Sequence, residues 1–139
     1  MRHCRFALFL LIPLTMRAQP PAPATMKQLM VDLIHPASNA LLLAIYRGGP
    51  KDDAEWAAVR HNALLLTESG TALTTRGPRT GDWAKDAQML SDAGAASYKA
   101  ALVKDAKALS ATATSIDQAC TTCHKQFRPN VFPGAGGSK

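Results

Sequence analysis

The sequence predicts an all-α protein, an antiparallel up-down-up-down four-helix bundle. Apolar residues recur at steps of three and four in four separate stretches, which is the period of amphipathic helices. Turn-forming Gly, Pro and Asp residues separate these stretches, and no segment shows the sustained alternation of a strand. The 47% hydrophobic share is largely Ala and Leu, which favour helices. Short connections between helices of similar length place consecutive helices side by side and antiparallel.

The first residues have the features of a secretory signal. Arg2 and Arg5 form a basic start, residues 6–14 are apolar, and small residues follow. We expect residues 1–18 to be removed, or cleavage as late as residue 24, where two alanines form an A-x-A. Residues 19–24 then form a Pro/Ala tether. These features predict export to the periplasm.

Removal of this segment changes the charge of the chain. It takes away three of the 16 basic residues and leaves 13 against 10 acidic ones, so the net charge falls from +6 to +3. The remaining basic residues are scattered, which argues against nucleic-acid binding. No apolar run reaches the roughly 20 residues of a membrane span, so no stable membrane insertion is expected.

The 139 residues allow one domain, which we place at residues 25–129, with a flexible tail at 130–139. In the first helix, about residues 25–46, Pro36 should cause a kink or restart. Asp52 or Asp53 can cap the second helix, Asp82 can cap the third, and Pro129 ends the fourth. The predicted core faces, helix by helix, are Met26, Met30, Leu33, Ala37, Leu41 and Ala44; Trp56, Val59, Ala63, Leu66, Gly70 and Leu73; Trp83, Ala87, Leu90, Gly94, Tyr98 and Ala101; and Leu109, Thr112, Ile116, Cys120, Cys123 and Phe127.

The fourth helix carries the pattern C-x-x-C-H at residues 120–124, the attachment signature of haem c. Residues i, i+3 and i+4 share a helix face, so Cys120 and Cys123 can bond two vinyl groups while His124 reaches the iron. Phe127 should pack on the ring, and Arg128 should lie near the imidazole. The alternatives are a zinc site, which needs a fourth ligand, a thioredoxin-like dithiol, and a structural disulfide.

The placement of this motif on the last helix, followed by Phe127 and Arg128, resembles the class II cytochromes c, the cytochrome c′ family and its low-spin relatives. Those proteins are four-helix bundles with C-x-x-C-H-x-x-[FY]-[RK] on the final helix. The resemblance implies one covalent haem c, thioethers at Cys120 and Cys123, and His124 as proximal iron ligand. Low-spin members carry R-x-x-x-M on the first helix with the Met as sixth ligand. That Met corresponds to Met30, while Met26 stands at the Arg position.

Met30 is also the distal candidate on chemical grounds. It lies on the apolar face of the first helix, and a thioether is a soft, neutral ligand that favours ferrous iron. Met26 one turn away is an alternative, and His35 becomes one if Pro36 kinks the helix. Met30 as ordinary core packing is the competing interpretation.

Two arginines in the loop between the second and third helices, Arg76 and Arg79, are candidate partners of the haem propionates. A solvated basic loop is the alternative interpretation.

These observations predict a monohaem electron carrier that exchanges single electrons with redox partner proteins. No cluster of catalytic acids, bases or nucleophiles is visible, so we expect no enzymatic activity. The resemblance also permits a second function, a five-coordinate protein that binds small gases such as nitric oxide. The chain can be a monomer or a homodimer.

Overall fold

The computed structural model describes residues 22–130, and this part of the chain is all-helical. Its four helices are α1, Met26–Tyr46, α2, Asp53–Arg76, α3, Trp83–Leu102, and α4, Ala106–Phe127. Packing contacts join α1 to α2, α2 to α3, α3 to α4, and α4 back to α1. The predicted all-α, bundle-like fold is therefore confirmed. The signal segment at 1–18, the first part of the tether and the tail from residue 131 lie outside the described residues.

The predicted core faces of α2, α3 and α4 are confirmed, because every residue assigned to them is buried or half-buried. The Asp52 carboxylate accepts a hydrogen bond from the Glu55 N–H at 2.8 Å and caps α2. Asp82 precedes α3 but makes no such bond, so the cap predicted there is wrong. Its backbone, at φ −88° and ψ 18°, departs from the extended conformation that presents an N-cap side chain to the first turn.

Close contacts between helices set the shape of the core. A Cβ on Gly94 of α3 would lie 2.6 Å from the backbone nitrogen of Thr67, so α2 and α3 touch almost backbone to backbone. Near this contact the Ser91 hydroxyl donates to the Thr67 carbonyl at 3.1 Å. Between α3 and α4, the buried Ser97 hydroxyl donates to Thr112 Oγ1 at 2.9 Å. These bonds satisfy polar groups inside an otherwise apolar core.

The predicted interruption of α1 is a π-helical segment, Leu29–Ile34. Pro36 has no N–H to donate, and its ring crowds the carbonyl four residues earlier. The His35 N–H bonds to the carbonyl of Met30, five residues back, rather than to the carbonyl four residues back as in a regular α-helix. Because this wider turn needs more residues, the chain returns to the core at Ile34 rather than at Leu33. Ile34 is 4% exposed and Leu33 is 37% exposed, so the prediction of Leu33 as a core residue is wrong.

Helix α1 is also long and apolar enough to cross a membrane by length and composition, although about a third of its most apolar window is buried inside the structure. The sequence-based expectation of no such run is wrong by this criterion. Leu41 of this helix is completely buried and Ile34 nearly so, which is the behaviour of a core helix.

Candidate functional site

The last turns of α4 present the side chains of Cys120, Cys123 and His124 to the same internal space. All three line a central cavity of about 30 Å³, which is enclosed by α1, the end of α2, α3 and α4. Cys123 is buried, while Cys120 and His124 are half-buried. The C-x-x-C-H spacing produces this arrangement, because residues three and four apart on a helix share one face.

Met30 of α1 reaches the same space from the opposite helix. It lines the central cavity and also two grooves beside it, of about 750 Å³ and about 590 Å³. His124 lines the same three spaces. The fold therefore brings together the predicted proximal and distal residues, which the sequence holds on its first and last helices.

The titrating groups of α4 respond to this apolar surrounding. Burial raises the pKa of the Cys123 thiol to about 11, and the charges of Asp86 and Cys120 add to the effect. Burial also raises the pKa of Cys120, with a further contribution from Asp117. Burial lowers the pKa of His124, and the charge of Arg128 acts in the same direction. This lowered pKa favours the neutral imidazole, the form that can bind a metal.

An aromatic pair forms one wall of the larger groove. Trp83 and Phe127 meet edge to face, with ring centroids 4.9 Å apart. The Trp83 indole N–H donates to the Leu73 carbonyl at 2.7 Å, which fixes the ring against the end of α2. A Cβ on Gly77 would lie 1.7 Å from Trp83 Cε2, so this ring position requires a glycine there. Phe127 thus lines the space where it was predicted to meet the haem.

The structure separates the two predicted loop arginines. Arg76 lines the larger groove together with Arg128, whereas Arg79 lines a different depression on the outer side of Trp83. Lys27 also lines the larger groove and was not predicted. The described lining of that groove contains three cations and no Asp or Glu. Lys27 could have been found from its position one residue after Met26 on a helix that was already assigned to the site.

The two alternative distal residues occupy less central positions. Met26 lines the larger groove and His35 lines the smaller one, but neither lines the central cavity. The π-helical turn explains why His35 shares a groove with Met30, since it changes the angle between them from that of a regular helix.

Asp86 of α3 is a member of the site that sequence reasoning missed. It is 2% exposed and lines the central cavity with Met30, both cysteines and His124. Its Oδ2 has no hydrogen-bond partner among the described residues. Burial raises the pKa of this carboxyl, and the nearby charge of Asp82 adds to that effect. An acid close in sequence to Asp82 and Lys85 is expected at the surface. The one signal for its burial is that Asp86 stands four residues before Leu90, and residues four apart share a helix face.

Within residues 22–130, no group of three or more His, Cys, Asp and Glu side chains is arranged to hold a metal ion by themselves. Comparison with protein-family models, curated proteins and solved structures finds no match to this chain.

Proposed function

We propose that this chain is an exported monohaem c-type cytochrome, a low-spin relative of the class II cytochromes c that transfers single electrons. The observation that carries this proposal is the convergence of Met30 and His124 on one cavity bordered by Cys120 and Cys123. A soft thioether and a neutral imidazole on facing helices are a known pair of axial haem ligands.

The size and chemistry of the site fit a haem. The two grooves beside the central cavity measure about 750 and 590 Å³, within the range of cofactor sites. The larger groove combines aromatic and aliphatic side chains with basic ones, as a flat apolar ring with two carboxylates requires. The smaller groove is more polar, since its lining includes His35, Asn39 and Asp117. The central cavity measures about 30 Å³, so a ring held by both Met30 and His124 would require the side chains around it to move apart.

Each site residue has a defined task in this proposal. The Cys120 and Cys123 sulfurs would form thioethers and fix the ring to α4, while His124 and Met30 would hold the metal. The bound haem would supply the one-electron ferric/ferrous couple. The aromatic wall of Trp83 and Phe127 would help to keep water from the metal.

The cations of the larger groove complete the fit. Arg76, Arg128 and Lys27 are placed along that groove to pair with carboxylates, which guanidinium groups bind in a bidentate manner. If Met30 and His124 both held the metal, no coordination position would remain open to a substrate. The protein would therefore act as an electron carrier for redox partner proteins rather than as an enzyme.

An up-down-up-down topology accompanies this proposal. Leu73 bonds to Trp83, and Thr67, earlier in α2, bonds to Ser91, later in α3. Later residues of α2 therefore contact earlier residues of α3, which supports an antiparallel arrangement of these two helices. The apolar helix α1 then serves as a wall of the haem site rather than as a membrane span.

The spectrum of the Met30→Ala variant tests the proposal. The chain is produced in a bacterial host with a cytochrome c maturation pathway, and haem that resists acid-acetone extraction demonstrates covalent attachment. We expect a sharp low-spin α band in the reduced wild type and a high-spin spectrum in Met30→Ala. Met89→Ala is the matched control, because Met89 packs against the core but lines none of the three spaces.

Two results would contradict parts of this proposal. Absence of covalent haem from the matured protein would exclude a c-type cytochrome. A wild-type spectrum that is already high-spin, and that changes strongly with nitric oxide, would instead support the five-coordinate gas-binding alternative.

A further inference from the structure

The most unusual side chain in the described part of the molecule is Asp86. The other residues around the central cavity are aliphatic side chains, the two thiols, the Met30 thioether and His124. An acid that is 2% exposed, with one oxygen lacking a hydrogen-bond partner among residues 22–130, is costly for a fold of this size. The nearby Asp82 and Lys85 are exposed, whereas Asp86 is buried.

A buried carboxylate acts on its surroundings far more strongly than an exposed one. The core has a lower dielectric constant than water, so the carboxylate interacts more strongly with a charge a few ångströms away. Water and salt screen an exposed carboxylate at similar distance. Asp82, the residue before α3, lies one turn from Asp86, whose N–H donates to the Asp82 carbonyl, and the two acids differ mainly in burial, since Asp86 lines the cavity and Asp82 does not.

We propose that Asp86 sets the reduction potential of the site by acting as a buried anion beside the metal. This inference rests on the proposed function, because it requires the one-electron couple between His124 and Met30. Reduction adds one electron, and hence one unit of negative charge, to a centre that shares its cavity with Asp86. The carboxylate therefore favours the oxidised state and lowers the potential.

The test compares the potentials of matured wild type, Asp86→Asn and Asp82→Asn by redox titration at pH 8. Asn keeps the shape of the side chain and removes its charge. We expect the potential to rise in Asp86→Asn and to rise clearly less in Asp82→Asn. Equal shifts in the two variants, or a lower potential in Asp86→Asn, would overturn the role of Asp86.

A second measurement does not depend on the variant accumulating. In wild type carrying carbon-13 aspartate, the infrared difference between oxidised and reduced protein should contain the carboxylate bands of a buried, ionised group, and Asp82→Asn should retain them. No aspartate band in that difference would overturn the inference. If covalent haem is absent the proposed function itself fails, whereas attached haem with unchanged potentials removes only the role of Asp86.

Discussion

Gly77→Ala should destabilise the protein, although the backbone there is open to any residue. At φ −88° and ψ −176°, alanine would ordinarily stabilise by about 0.4–1 kcal/mol through the unfolded chain. A Cβ would, however, lie 1.7 Å from the Trp83 ring and force it away. The ring would then lose its bond to the Leu73 carbonyl, about 0.5–1.5 kcal/mol, and its edge-to-face contact with Phe127, of about the same size. At the midpoints of these ranges the net cost is about 1.3 kcal/mol.

Urea unfolding of the haem-loaded protein, followed by far-ultraviolet circular dichroism, measures this cost. In a Trp83→Leu background the steric conflict disappears, so Gly77→Ala should there be neutral or stabilising. Thr80→Ala in the same exposed loop is the control and should change stability by less than about 0.5 kcal/mol. Reasoning from the indole position is refuted if Gly77→Ala stabilises the protein, or if it costs the same with and without Trp83.

Two further predictions concern the bundle itself. Gly94→Ala should lower the thermal midpoint, because a Cβ 2.6 Å from a backbone nitrogen of α2 forces the helices apart at about 1–3 kcal/mol, more than the roughly 1 kcal/mol that alanine gains in a helix. Lys104 lies 2.6 Å from Asp53 and lowers the pKa of that carboxyl below 3.8, so the pair stabilises the fold above pH 3.8 and this contribution is lost as the pH falls through the lowered pKa. The difference in thermal midpoint between wild type and Asp53→Asn should therefore be full at neutral pH and should shrink as the pH falls below 3.8.

Controls separate these effects from general damage. Ala96→Gly, at an exposed position of α3, should cost about 1 kcal/mol through helix propensity alone, and a rise in midpoint for Gly94→Ala would contradict the close helix contact. For the ion pair, added salt should shrink the difference at neutral pH, since both side chains are largely exposed. A difference that persists unchanged at pH 2 would show that Asp53 acts by other means.

Regular helices were predictable in detail and the irregular one was not. Positions on α2, α3 and α4 repeat at 3.6 residues, so apolar spacing alone identifies their buried faces. In α1 the presence of Pro36 predicted a disturbance, but not whether the helix would kink, restart or widen. The π-helical outcome decides between Leu33 and Ile34 as a core residue, and that choice depends on packing against the other helices.

In the candidate site, too, some residues could be predicted from the sequence and others could not. Cys120, Cys123 and His124 follow from local spacing, which the helix converts directly into one face. Arg76 and Arg79 stand three residues apart across the end of α2, and only the loop conformation sends them to different surfaces. Asp86 could not be assigned from sequence, because burial of a lone acid depends on which side of α3 the other three helices cover.

In the proposed haem site, Met30 and His35 of α1 are the two candidate distal groups that share one groove, and the cavity lining supports Met30. Both line the smaller groove, yet Met30 alone of the two also lines the central cavity with His124. His35 is exposed, whereas Leu29 of the same helix is 4% exposed. A rotation of α1 that brought His35 inward would disturb such buried side chains, and burial of a side chain of that size contributes about 2 kcal/mol. In the proposed site, this packing therefore opposes His35 and supports the thioether of Met30 as the distal group.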